Sequence, residues 1–376
     1  MKKLKELSLI GSTDVIGNAI TAFFWLFLSS QIPPDQFGEI FYFIGIVATA
    51  SAFVLIGNQN TLIVYVSKKI KIESTLYFIS LMLGIAASFI IMILFYRVDT
   101  VFLLFGYIIN TLSIGQLLGN KSFSSYSKHM LLQKGLTLGL GLLFFYLFGI
   151  EGILYALAIS YVFFTIIIFR KFRESKIDFS LLKERSTFVI NNYVIDILTK
   201  INAHLNKFII VPLLGFAILG NFSLSLQIVN VGMIFTMIIF KYTVSHDSQG
   251  EGNEKLKKLA VIISIIIALF ATFTAPYVIP IFFPQYTEAI DAIRIISFSL
   301  IPMTITSMHS SKLLGQEKNI RIVLSKIISI VTFVVAILVL GPSYGIVGLA
   351  VSYLLATITE SSSLIIKFEK FSKKNS

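Results

Sequence analysis

Asp196, Lys200, His204 and Lys207 follow one another at helical spacing in a stretch that is otherwise largely apolar. At about 100° per residue they fall within roughly 80° of each other on one helix face, and Asn192 extends the stripe by about 40°. Groups of these types bind charge, and a charge at the centre of a bilayer costs about 2.5–3.5 kcal/mol on insertion scales. A cluster of them normally faces a wet cavity or a partner, so the stripe is the first candidate for a substrate site. A plainer account stands beside it. Asp196 and Lys200 would form an i, i+4 ion pair that offsets the cost of insertion, and Lys207 would extend its stem to the interface.

Other polar residues fall inside apolar stretches. Asp14, with Asn18 one turn on, is either a proton or cation site or a carboxylate hydrated from the membrane surface. Glu360, followed by Ser361, Ser362 and Ser363, either lines an inner cavity or pairs with a basic loop. Asp291 and Arg294, at i, i+3, read as a structural ion pair. Asn58, Gln59 and Asn60 serve a helix end or a ligand, and Gln227 with Asn230 reads as glue between helices. No catalytic constellation stands out. There is no G-x-S-x-G, P-loop or dinucleotide fingerprint, and no His/Asp/Glu grouping has metal spacing. The absence of cysteine removes thiol catalysis and thiolate metal sites. The chain is therefore expected to be no enzyme and to need no cofactor and no metal.

The elements that position these residues follow from composition. Only 13% of the 376 residues are charged and 56% are hydrophobic, against about 25% charged in an ordinary soluble domain. Mean hydropathy is +0.87. This predicts an all-α polytopic membrane protein. Twelve spans are read, at about 9–29, 38–57, 75–96, 99–119, 131–149, 152–169, 187–210, 217–240, 259–283, 290–311, 321–340 and 344–366. The first follows a short basic lead (Lys2, Lys3, Lys5) without a small-residue cleavage site, so no cleavable leader is expected. Lysine and arginine collect in every second loop, from Lys68, Lys69 and Lys71 through Lys121, Lys128 and Lys134 to Lys312, Lys318 and the tail Lys367, Lys370, Lys373 and Lys374. The alternate loops carry only Arg97. This positive-inside pattern places both termini in the cytoplasm and requires an even number of spans. The net charge of +12 is then topogenic charge facing anionic membrane lipids, not a nucleic-acid footprint.

The basic stretch at 171–186 falls near mid-chain and reads as a linker between two six-helix lobes, 1–170 and 187–376. A weak repeat supports the division. Leu117-Leu118-Gly119 returns as Leu313-Leu314-Gly315, and Gly149-Ile150-Glu151-Gly152 returns as Gly345-Ile346-Val347-Gly348 at the same offset. Gly38 matches Gly220, and Asp14 matches Asp196, at a second shared offset. Repeats of six spans enter the membrane in the same direction, so two pseudo-symmetric six-helix bundles with a central cavity are expected. Asp14 and Asp196 would then face each other across that cavity.

Several short motifs carry a resemblance. They are Pro34-Asp35-Gln36-Phe37-Gly38-Glu39 after the first span, Gly57 before Tyr65-Val66-Ser67-Lys68, Tyr286-Thr287-Glu288-Ala289 with Leu313-Leu314-Gly315-Gln316, and Pro342 to Ala350. With these the chain resembles the O-antigen type lipid-linked oligosaccharide flippases of the multidrug/oligosaccharidyl-lipid/polysaccharide transporter superfamily. It departs from them in having Gln31-Ile32-Pro33-Pro34 where a Gly-Pro is usual. The resemblance implies two six-helix bundles, a cationic cavity and alternating access in the cytoplasmic membrane. It implies a substrate made of a sugar chain on a polyprenyl phosphate or pyrophosphate, with a glycan polymerase or glycosyltransferases as further partners. Lys200, Lys207 and His204 would attract the phosphate or acidic sugar, with Asn192 and Asn18 beside them. Asp196, Asp14 and Glu360 would be cavity or coupling carboxylates. A cation-coupled small-molecule exporter of the same superfamily is the runner-up, and a membrane-embedded enzyme of glycan assembly is the third reading.

Overall fold

A computed structural model describes residues 2–174, 176–247, 254–315 and 319–366. Gln316, Lys318 and the basic tail Lys367, Lys370, Lys373 and Lys374 lie outside the described residues. In chain order the helices are α1 (Lys2–Gln31), α2 (Pro34–Val54), α3 (Gln59–Ser67), α4 (Glu73–Phe95), α5 (Val98–Gly119), α6 (Phe123–Phe148) and α7 (Glu151–Ile159). They continue as α8 (Thr165–Glu174), α9 (Phe179–Glu184), α10 (Ser186–Asp247), α11 (Glu254–Phe282), α12 (Ala289–Ile296), α13 (Leu300–Gly315) and α14 (Asn319–Ile365). Among the described residues there is no strand. Long Ile- and Val-rich runs become helix because, in hydrocarbon, every backbone N–H and C=O must be satisfied within its own segment.

Among the described residues, ten helical stretches are long and apolar enough to cross a membrane. Two of them are double. Ser186–Phe240 runs 55 residues and Arg321–Ile365 runs 45, and each is broken once by non-helical backbone, at Gly215 and at Gly345. The ten stretches thus supply the twelve expected segments. Lys134, counted with the loop lysines although the expected span 131–149 contains it, lies inside the stretch Phe123–Phe148, and α6 starts eight residues before that expected span.

The sequence repeat is visible in the backbone. Gly149 and Gly345 both have positive φ, 65° and 55°, where a side chain would be strained. Three residues on, a Cβ at Gly152 would sit 2.6 Å from the Phe144 carbonyl oxygen, and one at Gly348 would collide with that of Leu340. The two repeats use the same device: a left-handed glycine turns the chain, and a second glycine lets the new helix start against the end of the old one. The other pair, Gly38 and Gly220, meets directly. A Cβ on Gly38 would collide with the Phe216 carbonyl oxygen and lie 2.8 Å from the Gly220 nitrogen, while one on Gly220 would collide with the Pro34 carbonyl.

Two compact units result: Met1–Phe24 with Ile40–Phe208, and Trp25–Glu39 with Ile209–Ser376. Relative to the lobes expected from the linker, the seventh span up to Phe208 joins the first unit, and the end of the first helix joins the second. In the first unit, α5 packs against α3, α4, α6, α7 and α8 and contributes fully buried Leu103, Leu104, Ile108 and Leu112. Buried polar groups there are paired between helices: the Tyr77 hydroxyl donates to Gln116 Oε1 (2.9 Å), and the Gln133 amide to Thr137 and Ser160 hydroxyls (2.8 and 3.1 Å). In the second unit, α11 packs on α12 and α13, and α14 on both of these, around buried Leu219, Phe222, Ile296, Ile337 and Leu349.

Two of the motifs that carried the resemblance meet in the second unit. Tyr286 is fully buried, sets its ring edge-on to Phe37 at 6.1 Å and donates its hydroxyl to the Ile32 carbonyl at 3.0 Å. These motif residues hold the unit together.

Candidate functional site

The first segment of α10, up to Phe208, carries the stripe and is stitched along α2 and α3 by side chains that match in antiparallel order. The Phe188 ring packs edge-on to Tyr65 at 5.4 Å. Asn58 caps α3 by accepting from the Thr61 amide (2.9 Å) and donates its side-chain amide to the Asn192 carbonyl (2.7 Å). The Tyr193 hydroxyl donates to the Phe53 carbonyl (2.6 Å), one of the carbonyls a helix end leaves without an internal partner. Phe208 meets Tyr42 edge-on at 6.1 Å. Asn58, which the sequence left open between a helix end and a ligand, serves the helix end.

Lys200 and Asp196 form the expected i, i+4 pair, Nζ to Oδ2 3.2 Å, with side chains 24% and 25% exposed. That carboxylate oxygen makes no directed hydrogen bond, so the two charges are close but poorly aligned. Lys200 also donates to the Ser51 hydroxyl at 3.4 Å. Lys207 is buried, so it is not an interfacial anchor reaching for water. Its stem lies against Gly45, where a Cβ would stand 2.6 Å from Lys207 Cδ, and its ammonium sits 5.4 Å from the centre of the Phe41 ring. Such a placement stabilises a desolvated cation by up to about 2 kcal/mol. Lys207 Nζ lies 3.2 Å from His204 Nδ1. One of these two nitrogens must present a lone pair to the other, so the pair carries at most one positive charge. The stripe therefore holds one internally compensated ion pair and at most one further positive charge, and its four members fall into two couples along α10.

Asn192 lies on the same helix, its side-chain amide donating to the Phe188 carbonyl at 3.0 Å. Asp14 accepts from the Tyr126 hydroxyl of α6 at 2.8 Å and acts electrostatically on Lys134, whose stem would crowd a Cβ on Gly17. Asn18, on the same helix, is half-buried. Asp14 and Asp196 belong to one compact unit and have separate partners, so the repeat does not set them opposite each other from two lobes. Glu360 belongs to the other unit, where it interacts with Lys326 and Ser329 on the facing part of α14. Among the described residues no group of three or more His, Asp or Glu could hold a metal ion.

Sequence reasoning missed Ser51, Gly45, Phe41, Tyr126 and Lys134. A glycine in the middle of an apolar helix was the one available signal, since it often marks close approach, but it does not name what approaches.

No protein-family profile matches the chain, and no curated protein matches it in sequence. Its fold matches solved structures throughout its length. The inward-facing conformation of a multidrug resistance MATE family transporter of the MOP superfamily superposes with a TM-score of 0.71 at 18% identity, over 93% of this chain and 92% of that one. The outward-facing conformation of a transporter so described gives 0.66 at 19%, over 96% and 93%. A MOP superfamily transporter from Pyrococcus furiosus, described by a reverse polarity of its binding pocket that suggests a different function, gives 0.65 at 18%, over 96% and 94%. In fold, then, this polytopic helical chain is similar to the MATE family transporters of the MOP superfamily.

Proposed function

We propose that the chain is a membrane exporter working by alternating access. Its substrate on this reading is an anionic amphiphile: an oligosaccharide linked to a polyprenyl phosphate or pyrophosphate, moved across the cytoplasmic membrane for surface glycan assembly. The observation that carries the reading is Lys200 on the seventh-span stripe, an ammonium held by one loosely aligned carboxylate and one hydroxyl. Phosphate and sugar hydroxyls do not cross hydrocarbon unaided, so polar groups must replace their water. Lys200 can exchange Asp196 for a substrate phosphate, and Asp196 takes the ammonium back on release, so the lysine is never left bare in a low-dielectric site. The process relocates the substrate and forms no covalent bond. Similarity in fold to transporters seen facing inward and facing outward supports alternating access.

The test is a reconstituted flipping assay with a lipid-linked sugar substrate. Lys200→Ala should abolish relocation while the protein stays at its normal level in the membrane, and normal relocation by that variant would overturn the reading. A second reading, a multidrug-type exporter of small molecules, is favoured by the descriptions of the similar structures. Drug efflux by the wild-type chain without movement of the lipid-linked sugar would decide for it. The Lys200 ammonium argues against a cationic drug.

A further inference from the structure

The second unit contains an open cavity of about 590 Å³ bordered by the start of α11 and the ends of α13 and α14. This lies within the range of about 300–1,000 Å³ typical of ligand sites. Its lining is two-sided. One side carries Lys257, Lys258, His309 and Lys312 with a single carboxylate, Glu254. The other is apolar, with Ile262, Ile305, Met308 and Ile365. Lys257 is buried, and its contact with Glu254 is 3.5 Å long with the glutamate side chain 67% exposed. An ion pair that open to water contributes little. His309 is oriented by its contact at 3.0 Å with the Ile305 carbonyl, to which Nδ1 donates. Ile262 and Ile365 are each about half exposed, and Leu259 and Ile266 continue that exposed apolar surface along α11.

We propose that this cavity binds the phosphate of an anionic membrane lipid, with the lysines on the headgroup and the acyl chains leaving past Ile262 and Ile365. A free anion would use the lysines but not the apolar side. A neutral lipid would use the apolar side and make no use of Lys258 and Lys312. A lipid phosphate uses both. Basic pockets between membrane helices take such headgroups, each lysine contributing about 1 kcal/mol near the surface. The site is separate from the stripe on α10 and does not depend on the transported substrate.

The test uses the full chain purified into phosphatidylcholine bilayers, with or without phosphatidic acid, and native mass spectrometry to count retained phosphatidic acid. The exposed pair Lys258→Gln/Lys312→Gln should weaken retention about 30-fold. Arg170→Gln/Lys183→Gln, which removes two positive charges in the other unit, should leave it unchanged. Ile262→Trp, which keeps every charge and fills the apolar side, should weaken lipid retention while the helical content by circular dichroism stays the same. Equal retention by wild type and Lys258→Gln/Lys312→Gln would overturn the proposal, and so would equal loss in both charge-removing variants. Competition by inorganic phosphate at concentrations comparable to the lipid, undiminished in Ile262→Trp, would assign the cavity to a free anion and overturn it as well.

Discussion

Asp196–Lys200 and Asp291–Arg294 look alike in the sequence: each is an acidic residue followed, one helical turn later, by a basic one. In the structure they are different objects. Arg294 and Asp291 stand 3.5 Å apart with side chains 51% and 67% exposed. Lys200 and Asp196 stand 3.2 Å apart, about a quarter exposed, on a helix held along α2, where Ser51 reaches the same ammonium. Water screens the first pair and lowers its value to a fraction of a kcal/mol. The second has little water to lose its partner to, so breaking it strands a charge. The difference teaches that spacing along one helix sets which charges can meet, while the neighbouring helix sets whether their meeting matters.

That comparison can be broken most decisively at Lys200. Lys200→Ala should abolish transport and, by stranding a quarter-exposed Asp196, lower stability by about 1–3 kcal/mol, whereas Arg294→Ala should leave transport intact. Flipping assays on the two variants side by side check this. Next in size is Gly45→Ala. The added methyl displaces the Lys207 stem, and we expect a loss of about 1–3 kcal/mol as for other overpacked sites, read by unfolding in detergent. Gly17→Ala, which meets the flexible stem of Lys134 at 3.3 Å, should cost less.

A double-mutant cycle sharpens the contrast more finely. Asp196→Asn with Lys200→Met should give a coupling of about 1 kcal/mol or more, and Asp291→Asn with Arg294→Met no more than about 0.5 kcal/mol. Equal couplings would erase the distinction between the two pairs.

The smallest expected effect is at Asp178, outside the spans. There the Ser180 hydroxyl, then the Ser180 and Leu181 amides, hold the carboxyl below its ordinary range. A folded-state value below the unfolded one means that its contribution is complete above the ordinary carboxylate range. It is lost as pH falls through the folded value. Asp178→Ala should therefore fray α9 only slightly near neutral pH and abolish that local pH dependence, measurable by amide exchange in α9.

Much of this was legible in the chain. The apolar runs set the helices, since hydrocarbon leaves the backbone no other partner. The recurrence of Gly149 and Gly152 as Gly345 and Gly348 announced two turns that the backbone makes in the same way. The i, i+4 pairing of Asp196 and Lys200 also followed, because neighbours on one helix are fixed by its pitch. What the chain did not disclose were contacts between helices. Gly38 and Gly220 were matched as repeats, but not as a crossing where two backbones touch. Asp14 and Asp196 were matched as equivalent positions of the two repeats, yet each has its own partner within a single unit.

The sequence by itself determined the solvent of this protein, its helical class, the number of its apolar segments and the face of α10 on which charge is concentrated. Each depends on residues a few positions apart. The tertiary structure alone decided that the seventh span packs along α2, that Lys207 is buried against Gly45 and Phe41, and that three lysines and several apolar side chains line one open cavity in the second unit. Packing between membrane helices is set by close fit of small residues and by paired polar groups rather than by hydrophobicity, which every face of such a helix shares. Hydropathy and periodicity therefore locate the helices, and only their packing names the partners.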